Sequence, residues 1–219
     1  VSFLPLDFIL CSSTKAGKRL QGVTKEVDKR CCGYKRRMEA MTKSTRHLET
    51  MVKRVQERGI RADYLLMDSW FAFPALLAAL GKLLPVICMG KNLPKVFYRH
   101  EGQWLTLGRV FDKLKKRPGR ARILASTVVE TKKEQKVKIV FVRHRHKRQW
   151  LAILSTRIDL ADEEIVRIYG KRWDIEVFFK TLKHHLNLER ETQLRDFDGI
   201  IGHITIVMSR YVFLAFEQR

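Results

Sequence analysis

The stretch IVRIYGKRWDIEVFFKTLKHHL, residues 165–186, decides how the rest of the chain is read. It has the length and composition of one helix. Asp162, Glu163 and Glu164 lead into it, and Lys183, His184 and His185 close it, which suits the helix dipole at both ends. Tyr169, Arg172, Glu176 and Lys183 stand at offsets 0, 3, 7 and 14. At roughly 100° per residue they share an arc of about 60°. Ile168, Ile175, Phe179 and Leu182 form an adjacent stripe that predicts an inward-packing face. One helix is thus expected to present a phenol, a guanidinium, a carboxylate and an ammonium in a line.

That set suits chemistry on a phosphate chain. A glutamate holds a hard divalent cation through oxygen. An arginine grips a phosphate bidentately, and a lysine adds a point charge further along. A tyrosine donates to another phosphate oxygen. From spacing alone, an ordinary surface helix with pairs three and four apart explains the line equally well.

Composition narrows the class. Of 219 residues, 45% are hydrophobic and 31% charged, which fits a globular chain. The charge is unusual: 44 Lys/Arg against 23 Asp/Glu give +21. A folded chain this basic meets a polyanion, with nucleic acid the first candidate. A ribosomal or membrane-surface role is the plainer competitor. Cys11, Cys31, Cys32 and Cys88 form no C-x-x-C pair, so no zinc or disulfide framework is readable and a reducing cytoplasm is expected.

Along the chain, residues 1–10 predict a strand, with Pro5 placing it at an edge or a bulge. Residues 12–37 are polar and basic and predict a long connection. Residues 42–58 predict an amphipathic helix, with Leu48, Met51, Val52 and Val55 on one face and Gly59 as its stop. Residues 64–67 and 85–89 predict buried strands flanking a helix over 71–80, a β-α-β order with a partly parallel sheet. Asp68 then stands at a strand's carboxyl end, where open sheets place ligands. Residues 91–150 carry 18 Lys/Arg against 4 Asp/Glu, a net +14. Their strand-like runs predict a β platform facing phosphates, or else a solvated basic surface. Trp104, Trp150 and Trp173 are read from composition as packing residues. Residues 199–216 form a long apolar helix, interrupted by His203, Ser209 and Arg210, that is expected to be buried in a soluble core.

Tyr169-x2-Arg172-x3-Glu176-x6-Lys183 keeps every spacing of the Y-R-E-K signature, and so resembles the insertion-sequence-four family of bacterial DDE transposases. The neighbouring RWDIE and FFKTLKHHL are similar to that family too. The resemblance implies an α/β, RNase H-like (retroviral-integrase-like) mixed sheet with flanking helices, interrupted by a β-rich insertion. Residues 1–91 would be the first part of the catalytic domain. Residues 92–157 would be the basic insertion, and residues 158–219 the remainder, with the signature helix and a buried C-terminal helix.

The implied activity is metal-dependent cleavage and strand transfer at transposon ends. Asp68 and Glu176 would be catalytic ligands of a two-metal site holding Mg2+ or Mn2+. Tyr169, Arg172 and Lys183 would bind DNA phosphates, and Trp150 would stack on a base flipped from the transposon end. The implied partners are double-stranded DNA, both ends and target, and a second copy in a synaptic homodimer, with no membrane and a cytoplasmic location. The family's first aspartate has no clear match: Asp7, in PLDF, does not resemble its setting. The expectation is an N-terminally truncated transposase, inactive as this fragment. The alternative is a catalytically dead DNA-binding remnant.

Overall fold

The computed structural model describes residues 3–145, 149–189 and 193–217. The chain forms two compact units, Ile60–Arg172 and the pair of segments Val1–Gly59 and Trp173–Arg219.

The unit Ile60–Arg172 is built on a seven-stranded mixed sheet in the order β1-β2-β7-β6-β5-β3-β4. Strand β1 (Leu65–Met67) runs parallel to β2 (Val86–Gly90), joined by a 3-10 turn (Ser69–Phe71) and helix α3 (Pro74–Leu80). This is the expected β-α-β order. Pro74 sits at the start of α3, where its missing N–H costs nothing. Beyond β2 every pairing is antiparallel: β3 (Phe97–His100), β4 (Gln103–Thr106), β5 (Ile123–Thr131), β6 (Lys136–Arg143) and β7 (Trp150–Ser155). Helix α4 (Leu107–Lys113) follows β4. Helix α5 (Asp162–Gly170) lays Ile165, Val166, Ile168 and Tyr169 on Ile87, Val140 and Ile153 of the sheet. The basic strands that the sequence set apart therefore share one sheet with β1 and β2.

The other unit is helical. Helix α2 (Ser44–Glu57) matches the predicted amphipathic segment, and Gly59 ends it with φ +75, a left-handed conformation that suits glycine. Helix α1 (Cys32–Ala40) falls inside the segment expected to be a connection. Its apolar pattern is weak. Its anchor is Arg37, buried, with Nη1 and Nη2 donating to Asp198 at 2.8 and 2.7 Å and Cζ 4.9 Å from the Phe197 ring centroid. Residues 3–10 form no strand, contrary to expectation; Val1 and Ser2 lie outside the described residues. The segment is held by side chains instead: Phe3 packs on Phe178 at 4.7 Å, and Asp7 pairs with Arg54 at 3.0 Å.

Two further expectations fail. Residues 165–186 are not one helix: α5 stops at Gly170 and α6 (Trp173–His184) begins afresh. The N–H groups of Lys171 and Arg172 reach back only three residues, to Ile168 and Tyr169, which tightens the chain and ends the turn. The inward stripe shifts accordingly. Ile168, Phe178 and Leu182 are buried, whereas Ile175 and Phe179 are exposed. Helix α7 (Phe197–Glu217) is not a buried core helix. Only Phe197 and Val207 are buried, while Ile206, Phe213 and Phe216 are about 70% exposed. It is long and apolar enough to cross a membrane by length and composition.

Candidate functional site

The geometry that carries chemistry lies at one end of the mixed sheet. Strands β1 and β2 are parallel, so their carboxyl ends share that end, and β7 starts there because Gly90 pairs with Ala152. Asp68 follows β1 directly and is exposed. Its Oδ1 accepts from the Ser69 N–H at 2.7 Å, which fixes the carboxylate at the head of the 3-10 turn. A carboxylate in that place meets ligands rather than a core.

Tyr169 reaches the same neighbourhood from the last turn of α5. Burial pushes its phenol up to about 12, the Arg172 guanidinium opposes that shift, and the negative charge of Asp68 adds to it. The phenol therefore keeps its proton at neutral pH and can donate a hydrogen bond. Arg172 stands with Cζ 5.7 Å from the Tyr169 ring centroid, a cation–π contact that aligns the two side chains. Tyr169 and Arg172 thus form one pair, and the charge of Asp68 acts on the phenol.

Glu176 and Lys183 lie on α6, in the helical unit. Both line a groove of about 650 Å³ together with Phe179, Lys180 and His184. Lys183 Nζ pairs with Glu189 at 2.8 Å. Of the predicted four, Tyr169 thus lies on α5, Arg172 in the turn that follows it, and Glu176 and Lys183 on α6.

The tryptophans divide differently from expectation. Trp150 is half-buried, 5.0 Å from Phe111 and 5.1 Å from Phe141 between ring centroids. It also lines a groove of about 360 Å³ with Gly90, Asn92 and Gln149. Trp173 and Trp104, read as packing residues, are 61% and 45% exposed. Trp70, which sequence reasoning passed over, is 61% exposed two residues beyond Asp68, and Lys91 Nζ stands 5.6 Å from its ring centroid. The available signal was a tryptophan just past a strand-end aspartate, facing a lysine just past the neighbouring parallel strand.

Among the described residues no three His, Cys, Asp or Glu side chains converge as a metal centre. Asp68 offers one hard oxygen set, so these residues do not by themselves complete a cation site. Asp7 is committed to Arg54, which also pairs with Glu39.

Carboxylate, phenol and guanidinium are side chains whose chemistry suits phosphate groups. The model of the transposase DDE domain family matches residues 32–213, and the chain belongs to that family. Its class is therefore a transposase, a family that acts on DNA and generally uses divalent metal ions. No curated protein and no solved structure matches the chain.

Proposed function

We propose that the chain is a transposase of the insertion-sequence-four type, with an RNase H-like catalytic core that binds transposon-end DNA and catalyses phosphodiester cleavage and strand transfer. The observation that carries this reading is Asp68 at the carboxyl end of β1, on the same sheet against which Tyr169 packs with Arg172 over its ring. Asp68 and Glu176 are the carboxylates that would hold Mg2+ or Mn2+. Tyr169, Arg172 and Lys183 bind the phosphates of the end, and Trp150 meets a base from the groove it lines with Gly90, Asn92 and Gln149. The first carboxylate is not Asp7 on this reading, because a guanidinium already neutralises it. The acting form is a homodimer on DNA in the cytoplasm.

The test is equilibrium binding to duplex DNA across a salt series. Each phosphate neutralised contributes about 0.9 to the slope of log affinity against log salt. The wild-type chain is expected to show a steep slope, with Arg172→Ala and Lys183→Ala each flattening it by about 0.9. Asp68→Ala and Glu176→Ala, which remove no cationic contact to phosphate, leave that slope unchanged. A salt-insensitive wild type, or slopes unchanged in both cationic variants, overturns the reading.

A further inference from the structure

We propose that Trp70 and Lys91 form a platform for one unpaired nucleotide beside Asp68, the base stacking on the indole and its phosphate meeting the ammonium. This inference rests on the reading of the chain as a DNA-acting enzyme.

Three observations carry it. First, Trp70 is 61% exposed, although indole is among the largest apolar surfaces a chain can bury. It sits on the 3-10 turn Ser69–Phe71, whose head is fixed by the Asp68–Ser69 contact, so the ring is presented from a defined backbone. Second, Lys91 stands over that ring at 5.6 Å and makes no ion pair with a carboxylate among the described residues. Lys91 directly follows β2 and Trp70 lies just past β1, so the parallel pairing of the two strands brings them together. Third, the platform adjoins Asp68, the carboxylate that follows β1. An aromatic face with a cation beside it suits a nucleotide, because every base has a π-face and every nucleotide brings a phosphate. Trp150 is less suited to this role, since Phe111 and Phe141 already pack against its ring.

A paired base within a duplex is stacked on both sides and leaves no face for Trp70. The platform therefore selects DNA that is unpaired next to the site, and Trp70 acts as a specificity-determining residue rather than a catalytic one. Lys91 positions the strand and adds one phosphate contact.

The experiment titrates the whole chain against a labelled duplex and against the same duplex carrying one unpaired adenine. The wild type is expected to favour the unpaired form by between about fivefold and a hundredfold, the range of one base–aromatic stack. Trp70→Ala brings the two DNAs to equal affinity, and Trp70→Phe restores part of the preference. Lys91→Gln flattens the salt slope for the unpaired form by about 0.9. Trp104→Ala, an exposed tryptophan on β4, leaves the preference intact. Circular dichroism melts confirm that each variant is folded. Equal wild-type affinity for both DNAs, or a preference that survives Trp70→Ala, overturns the platform while duplex binding stands. A wild type that binds neither DNA overturns both the platform and the transposase reading beneath it.

Discussion

Burial sorts chemically identical side chains into different roles, and the cysteines show it most simply. Cys88 lies on β2 with no exposed surface, and burial pushes its thiol up to about 12. Cys11, Cys31 and Cys32 are exposed. A thiolate is the reactive form, so the buried thiol is protected twice, by access and by protonation. Native protein at pH 8 is expected to react quickly with Ellman's reagent at three thiols and at the fourth only after unfolding; four fast thiols would mean that β2 is open. Tyr169 follows the same logic. Spacing placed it in a phosphate-handling set, but the state of the phenol depends on the burial that α5 imposes.

Helix α5 is the element that brings Tyr169 to the sheet, and its start is locked by charge. Asp162 is buried at the first turn, with Oδ2 accepting from Arg117 Nη2 at 2.8 Å and from Ser126 Oγ at 2.7 Å, and Oδ1 3.0 Å from Lys138 Nζ. Burial alone would raise its pKa. The hydrogen bonds from Ser126 and Lys138, with the charges of Lys138 and Arg117, hold it below the ordinary 3.8. A depressed carboxyl stabilises the fold above its unfolded pKa. That contribution is lost as pH falls below 3.8 through the lower folded value. Asp162→Ala leaves Lys138 facing the sheet without its counter-charge, at an expected cost of about 3–5 kcal/mol in urea unfolding at pH 7. Asp162→Asn is expected to unfold with a flatter pH dependence as pH falls through 3.8 and below. A loss below about 1 kcal/mol in the alanine variant would show that α5 is held by apolar packing alone.

Over the whole molecule the governing quantity is the charge of +21. Self-repulsion of that size opposes the compact state, and salt relieves it by shortening the Debye length from about 30 Å at 0.01 M to about 8 Å at 0.15 M. The melting midpoint is therefore expected to rise across that range, with heparin raising it further. A midpoint that falls would place the surface ion pairs, such as Arg157–Asp159 and Lys53–Glu49, above net repulsion.

The sequence by itself determined the β-α-β order around Asp68, the α2 helix with its glycine stop and the basic strands. Each of these rests on local periodicity, turn chemistry or fixed spacing. Tertiary structure decided what those rules do not contain. It broke the signature stretch after Gly170, because a helix ends where its N–H groups find nearer carbonyls and its two halves bury different faces. It made a helix of Cys32–Ala40 through Arg37 and Asp198, 161 positions apart, and left residues 3–10 without a partner strand. It left α7 largely bare and Trp70 in the open beside Asp68, because exposure depends on what packs against a side chain and not on the side chain's own apolarity.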